Sequence, residues 1–358
     1  MNICIIGDGL TSLSLAKILI NKKINVDIYH EKKIENLSFN RTIGISKKNI
    51  KFFEQEIFKI SKKHIWKIKK IEIYSNKLKD NKILKFEEKK DSLFCIIKND
   101  ELYKSLNNRL SKNSFFKKKL VKKDEIYKNL LKEKKYDLII NCDSNNFLSK
   151  KFFKKKIDKN YENLAYTTIL SHQKLKNNVA IQIFTKNGPI AFLPISNNET
   201  SIVYSLDTKN KKYNDYEVLE LINKNNPKYQ VQKKLKLSSF KLSSSNLRNY
   251  YHQNILAFGD LLHRIHPLAG QGFNMTIRDI KILSKIIQNK IDFGIQLDET
   301  ILSELEKETK NKNFIFSNGI DLIHEFFNIE RNTESDLLSK SVQFLGKNSS
   351  FNKVFTKI

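Results

Sequence analysis

Cysteine is scarce in this sequence: Cys4, Cys95 and Cys142 are the only three in 358 residues, and no two form a Cys-x-x-Cys pair. That argues against a disulfide framework and against a structural metal site. Each cysteine lies in or beside an apolar run, so all three are expected to be buried strand thiols in a reducing compartment. Also missing is any apolar run of about 18 to 20 residues, the length needed to cross a bilayer. The chain enters an apolar strand at Asn2 to Ile6 with no basic leader before it, so a cytoplasmic, soluble protein is expected. Internal repeats are absent, and no stretch is biased enough to read as disordered beyond Lys/Asn loops and the last few residues. The length suffices for two domains, or for one domain with an inserted lobe, around a sizeable core.

Positive charge is abundant, with 66 Lys and Arg against 38 Asp and Glu for a formal net charge of +28. Such an excess attracts phosphate, whether on nucleic acid or on an anionic membrane. Most of it is Lys scattered among many Asn and Ile, which raises charge everywhere instead of building one stripe. The clusters at 117–119, 122–123, 150–151 and 154–156 lack the interleaved Arg and aromatic residues that read bases. Nucleic acid is therefore not expected; solvated faces come first and an anionic membrane surface second.

Polar and small residues concentrate in one run, from Gly259 and Asp260 through His263, His266, Pro267, Gly270, Gln271, Gly272 and Asn274 to Asp279. Upstream, Asn254 to Phe258 is a short apolar strand, and downstream Ile277, Ile280, Leu283 and Ile286 recur at helical spacing. The run reads as a strand-to-helix loop. Three glycines beside a helix start let backbone N–H groups approach an anion or an electron-poor ring. His263 and His266 are candidate acid–base groups, but a histidine in such a loop more often makes a structural hydrogen bond. No Cys or carboxylate set beside them suggests a metal.

At the N-terminus, a strand, the turn Gly7-Asp8-Gly9-Leu10-Thr11-Ser12, an apolar-faced helix and a second strand from Asn25 to Tyr29 form a β-α-β unit. This is a dinucleotide-binding fingerprint with Ser12 in the third glycine's place. The acid that would hold a ribose hydroxyl is due about 20 residues on, where His30 and Glu31 stand as alternatives. Short alternating segments then suggest an antiparallel lobe at Ile71 to Tyr74 and Ile83 to Phe86. A strand from Tyr136 to Ile140 ends near Asp143, a second carboxylate at a strand terminus. Further strands are expected at 164–170, 179–184, 191–194 and 201–206, with helix at 216–223 and over about 299–327.

In order and composition these elements resemble the ubiquinone-biosynthesis hydroxylase family of class A FAD-dependent monooxygenases. The stretch 254–279 resembles that family's G-D-A-A-H-x-x-H-P-x-A-G-Q-G-x-N segment, with Leu261 and Leu262 in place of the alanines. Arg41 to Ser46 resembles its R-T-x-A-L-S segment, and Phe184 to Pro194 its F-T-x-x-G-P-x-A-x-L-P strand pair. The resemblance implies the α/β p-hydroxybenzoate hydroxylase fold: a Rossmann-like FAD-binding domain (1–66, 95–150 and 240–290), an interleaved antiparallel β substrate domain (67–94 and 151–239) and a C-terminal helical region (291–358).

It further implies FAD, with its pyrophosphate on Gly7, Gly9 and the helix after Ser12 and its ribose near His30 or Glu31. Asp143 and Gly259 join the cofactor set, Asp260 holds the ribityl or pyrophosphate region, and Arg41 sits near the cofactor's centre. Its ring would lie against Pro267 to Gly272, with Gly270, Gln271 and Gly272 facing N1 and the C2 carbonyl and Asn274 anchoring the loop. Phe192, Leu193 and Pro194 are the expected apolar wall over the flavin. The reaction implied is hydroxylation of an aromatic ring of a polyprenylated ubiquinone precursor through a flavin C4a-hydroperoxide. Electrons would come from NAD(P)H or a redox protein. Partners would be a quinone-biosynthesis complex and the inner membrane's anionic surface. Ser12, His30, Ser144 and Thr276 depart from the family pattern, which motivates one alternative, a non-catalytic or weakly flavin-binding scaffold protein of a quinone-biosynthesis complex; an FAD-dependent reductase on the same fold is the other.

Overall fold

The computed structural model describes residues 1–31, 41–76, 82–121, 125–133, 135–209, 211–233, 236–266, 270–332, 340 and 343. The chain begins β1 (Asn2–Ile6), α1 (Leu10–Asn21), β2 (Asn25–His30), β3 (Thr42–Ser46), α2 (Lys47–Phe52) and β4 (Trp66–Ile68). It continues β5 (Lys70–Ser75), β6 (Lys82–Glu87), β7 (Phe94–Lys98), α3 (Asn99–Leu110), β8 (Phe116–Leu120), α4 (Glu125–Lys132), β9 (Leu138–Asn141) and α5 (Phe147–Phe152). Then come β10 (Lys156–Ser171), β11 (Val179–Thr185), β12 (Gly188–Pro194), β13 (Glu199–Asp207), α6 (Asp215–Lys224) and β14 (Ser238–Leu247). The last elements are β15 (Tyr251–His252), β16 (Ile255–Ala257), β17 (His263–Arg264), α7 (Gly272–Asp292) and α8 (Thr300–Asn332).

Three sheets organise these elements. The first has six strands in the order β15-β16-β9-β1-β2-β8, parallel except for the β15–β16 hairpin. Its centre is apolar on both faces: Ile3, Cys4, Ile5 and Ile6 of β1 are wholly buried, as continuous apolar strands in a covered parallel sheet should be. Helix α1 packs on it with Leu13, Leu15, Ala16 and Leu19 fully buried. The second sheet, β17-β14-β10-β13-β12-β11-β5-β6, is antiparallel apart from its β11–β5 pair, and the third is a small sheet, β3-β7-β4. Strands of the first two sheets alternate along the chain. This is the interleaved α/β architecture expected from the sequence, closed by α7 and α8.

The order of the first sheet decides where chemistry can sit. Because β16, β9 and β1 are neighbours and run parallel, the turns leaving their carboxyl ends lie side by side. Those turns carry Gly259, Asp143 and Gly7. Ligands of open parallel sheets collect at this edge.

The polar run is more than a strand-to-helix loop. After β16 it makes a single 3-10 turn, Gly259–Leu261, then β17, which leaves the first sheet and pairs with β14 of the second (Ser245 with Arg264, Asn246 with His263). Helix α7 begins at Gly272, a full turn before the Ile277 at which apolar periodicity becomes visible. The first turn of a helix need not carry the apolar stripe, so periodicity marks such a start late.

Candidate functional site

The site is assembled from backbone geometry first. Gly7 has φ +109° and its N–H donates to the Tyr29 carbonyl at 2.8 Å, which turns the chain sharply off β1. A Cβ at Gly7 would lie 3.4 Å from Ser12 Oγ and 3.5 Å from Asp143 Cβ, so the first and second turns pack against one another. Gly259, at φ +61°, closes the third side: a Cβ there would meet the Thr11 methyl at 2.8 Å. The turns after β1, β9 and β16 thus pack together at one sheet edge. Gly9 is different, for a Cβ on it would have no atom within 4 Å. It stands at the N-cap of α1, where free N–H groups and the positive end of the helix dipole face open space.

Ser12, standing where the fingerprint has its third glycine, lies in the first turn of α1, fully buried beside the Cys142 thiol. A buried network holds the Asp143 turn: Asn146 donates to Asn141 Oδ1 at 2.7 Å, Asn141 donates to Ser149 Oγ at 2.9 Å, and Ser149 Oγ donates to the Asp143 carbonyl. Nothing in the sequence's periodicity marks these three residues. They became visible only once the turn was folded.

At the end of β2 the two alternatives part. Glu31 is exposed and accepts a hydrogen bond from Tyr127 of α4 at 2.9 Å, whereas His30 Nδ1 lies 4.0 Å from Asp8 Oδ2. Asp8, the residue between the two glycines, is the carboxylate that sequence reasoning passed over. Its side chain is 5% exposed and receives Lys118 Nζ at 2.6 Å and Tyr103 OH at 3.0 Å. Tyr103's own phenol is pushed up by burial and then by the Asp8 charge.

Further along, Arg41 lays its guanidinium 4.2 Å from the centre of the Phe240 ring, within electrostatic reach of Asp260. Asp260 itself is exposed in the 3-10 turn. Gly270, at φ +63°, passes close to β3: the nearest atom to a Cβ on it would be the Gly44 nitrogen at 3.8 Å. Asn274 makes that approach permanent. Its Nδ2 donates to the Gly44 carbonyl at 2.7 Å, and its Oδ1 accepts from Ser46 N at 2.8 Å and Asn49 Nδ2 at 2.9 Å. Three of the amide's four hydrogen-bonding positions thus join α7 to β3 and α2. Gln271 is the N-cap of α7 and Gly272 its first residue. Pro267 lies outside the described residues.

The two histidines of the run have separate environments. His263 is 3% exposed and its Nε2 lies 2.5 Å from Asp279 Oδ2, while Asn313 of α8 donates to the same carboxylate oxygen at 3.2 Å. His266 is fully buried, 4.8 Å from the Tyr161 ring and 4.4 Å from the His324 ring between centres. Burial, then the neighbouring His324 and Lys159, lower its pKa to about 3, so it is neutral near pH 7. Asp279, one helical face along from Thr276, could have been found as an acid at buried spacing. His324 and Tyr161 carry no such mark.

The expected apolar wall needs correction. Side chains alternate along β12, and Phe192 points into the cluster formed with Ile190, Ile202, Tyr204 and, from α6, Val218 and Ile222. Pro194 is buried two residues on, on that same outer face. The opposite face carries Pro189, Ala191 and Leu193, and Leu193 packs on Ile68 and Ile96 of the small sheet. Its cross-strand partner Ser201 accepts from Thr42 of β3 at 2.9 Å, so this inner face looks towards the Arg41–Gly44 segment. A one-residue phase difference separates wall from core.

Backbone cradles at Gly9 and Gly270 in front of two helix N-termini, with the charges of Arg41 and Asp260 within electrostatic reach of one another and the Asn274–Gly44 hydrogen bond fixing the second cradle, fit an elongated dinucleotide such as FAD. Comparison with known proteins agrees. Residues 154–292 match the FAD binding domain family. The 3-demethoxyubiquinol 3-hydroxylase of Escherichia coli (strain K12) is 30% identical over 152 residues, covering 41% of this chain and 39% of that protein. The mitochondrial ubiquinone biosynthesis monooxygenase COQ6 of Drosophila melanogaster is 26% identical over 232 residues, 53% of this chain and 49% of that one. The matched stretch therefore spans less than half the length of these relatives. Klebsiella pneumoniae HpxO, solved with FAD and uric acid, shares the fold with a TM-score of 0.74 over 99% of this chain and 95% of that one, at 11% identity. Over residues 154–292 the chain matches an FAD-binding domain, its fold is that of the p-hydroxybenzoate hydroxylase type, and in sequence it is similar to the ubiquinone-biosynthesis hydroxylases.

Proposed function

We propose that the chain is an FAD-dependent monooxygenase that hydroxylates an aromatic ring of a polyprenylated ubiquinone precursor, drawing electrons from NAD(P)H or a redox protein. The observation that carries the reading is the meeting of Gly7, Asp143 and Gly259 at one sheet edge. FAD, when bound, supplies the redox chemistry that activates oxygen. The chain's residues bind and orient it. The N-terminus of α1 with Gly9 receives the pyrophosphate, and His30 with Asp8 lines the ribose end. Asp260, facing Arg41, takes the middle. The Gly270, Gln271 and Gly272 backbone at the start of α7 stabilises negative charge on the reduced ring.

Water must be kept from such a site, because solvent diverts activated oxygen to peroxide. The inner face of the second sheet, Ala191 and Leu193 with Phe184 and Phe240, supplies the apolar cover. Neutral His266 adds no charge beside it. A quinone-biosynthesis complex and the inner membrane are the partners that this substrate class calls for.

The test is to purify the chain, measure flavin per polypeptide, and follow oxygen uptake with a prenylated phenol. A hydroxylated product in step with oxygen consumption supports the proposal; a flavin-loaded protein that reduces substrate without oxygen points to the reductase. Colourless protein that takes up no FAD points to the scaffold.

A further inference from the structure

Strand register shows where the inner face of the second sheet dips. Residues paired across neighbouring strands share a face and line up in rows across the sheet. One row runs Ile73, Gln182, Ala191, Val203, Thr167 and Ser238, through β5, β11, β12, β13, β10 and β14. Ala191 puts it on the inner face, the face of Leu193. Two residues along each strand in one direction, Ala180 and Leu193 are covered by Ile68 and Ile96 of the small sheet, and Ser201 accepts from Thr42. Two residues the other way, Phe184 packs on Met275 in the first turn of α7. Between these covers stand the short side chains of Ala191 and Val203, both half-buried, whereas Ile181, Phe192 and Ile202 on the outer face of the same strands are buried. The row is the floor of a slot beside the start of α7. From Gln182 to Thr167 it spans three strand spacings, about 14 Å, ample for one aromatic ring.

Gln182 is the one long polar side chain of this row. Its Nε2 donates to the Ile190 carbonyl of the next strand at 3.3 Å. Holding the NH2 there fixes the other half of the amide as well, and among the described residues no group donates to its Oε1. An amide oxygen only accepts, so the group it calls for is a donor. The other polar groups nearby are turned elsewhere: Thr167 donates to the Ser238 carbonyl at 3.4 Å, and Arg41 lies over Phe240 within reach of Asp260. An apolar slot with a single oriented acceptor matches a ring that carries a hydroxyl.

We infer that Gln182 sets substrate specificity: its Oε1 accepts the hydrogen bond of the substrate's ring hydroxyl, so the slot selects a neutral phenol over the same ring with that hydroxyl masked. This rests on the ring hydroxylation proposed above and adds the group by which the ring is recognised. An amide does not remove the proton, so Gln182 positions the ring and takes no part in acid–base chemistry.

Binding of 2-prenylphenol and of its methyl ether to the full chain, followed by tryptophan fluorescence, tests it. Trp66 is the only tryptophan in the sequence and packs in the cluster of Ala180 and Leu193 at the edge of the slot, so it reports occupancy with or without flavin. The phenol should bind about five- to tenfold tighter than the ether, the range of one neutral hydrogen bond. Gln182→Met keeps the length without the amide acceptor and should bring the two ligands level, with the unfolding temperature unchanged. Ala191→Leu fills the slot and should weaken both ligands while keeping their ratio. A preference that survives in Gln182→Met overturns the inference, as does a wild-type chain that binds phenol and ether alike. Equal binding with hydroxylated product still formed sinks the role of Gln182 alone; a flavin-loaded chain that binds neither ligand takes the proposed function down with it.

Discussion

The two walls of the site are built from different materials. At the edge of the first sheet and beside β3 of the small sheet the site is lined by backbone: Gly7, Gly9, Gly259 and Gly270 act through what they lack, and side chains such as Thr11 and Asn274 hold the turns together. On the second sheet the wall is made of side chains that a two-residue alternation sorts into an inner and an outer face. A backbone wall tolerates little change where its glycines hold a left-handed φ, as Gly7, Gly259 and Gly270 do. A side-chain wall tolerates much on one face and little on the other.

The largest effect expected is on the face that does not touch the site. Phe192→Ala removes a fully buried ring from the cluster beneath α6, a change that costs about 3–5 kcal/mol in a packed core. Urea unfolding of the variant should show that loss, with the KM of any remaining active fraction unmoved. A shifted KM with little loss of stability would put Phe192 on the inner face and undo the contrast.

Gly259→Ala probes the backbone wall. The left-handed φ costs a side chain about 1–2 kcal/mol, and the 2.8 Å approach to the Thr11 methyl adds to it. A total near 2–3 kcal/mol is expected, with reduced flavin content, because α1 must shift to admit the Cβ. Thr11→Ala in the same chain removes the clash but not the φ strain, so it should restore part of the loss. Double-mutant unfolding measures that coupling directly.

This contrast also explains what could be read before folding. The glycine turns, the β-α-β unit and the run from Gly259 were legible because each depends on residue identity at fixed offsets, and the fold followed from them. Phe192, Leu193 and Pro194 are adjacent in sequence, and apolar content alone does not tell which parity faces inward; that depends on pairing with β13 and on α6 covering one side. Asp8 was hidden by the motif around it. In a glycine turn the variable position has no assigned role, and only β8, bringing Lys118 alongside, gives it one. The Asn141–Asn146–Ser149 network was illegible for a related reason: three small polar residues spread over a strand end, a helix cap and a short helix read as solvated until burial requires each to find a partner.

His266, packed against Tyr161 of β10 and His324 of α8, supplies a pH-dependent test. Its folded pKa of about 3 is below the ordinary 6.5, so on acidification the unfolded chain takes up the proton first. Stability from this group is complete above about pH 6.5, falls as pH drops from there towards 3, and levels off below. By linkage the loss is about 2 kcal/mol at pH 5. His266→Phe keeps a ring against Tyr161 and His324 but cannot titrate. The stability difference between wild type and variant should therefore change with pH across that window, and a difference that stays flat in paired urea titrations would mean that His266 is protonated in the fold.

Leu193→Ala should have the smallest effect on stability and the most selective effect on function. The side chain is half-buried, and it meets Ile68 and Ile96 across the gap between two sheets instead of filling a closed core. Truncation should cost about 1–2 kcal/mol, below the usual range for a fully buried leucine. Its neighbours on the inner face, Ala191 and Pro189, leave no other bulky side chain on β12 to close the apolar cover above Arg41 and Thr42. Two consequences follow for the proposed oxygenase: KM for a prenylated phenol rises, and more of the oxygen consumed appears as hydrogen peroxide, because water reaches the site. The ratio of peroxide to hydroxylated product, measured beside Phe192→Ala, decides which parity of β12 forms the wall. If Phe192→Ala uncouples at equal stability and Leu193→Ala does not, the inner face has been assigned to the wrong set of residues.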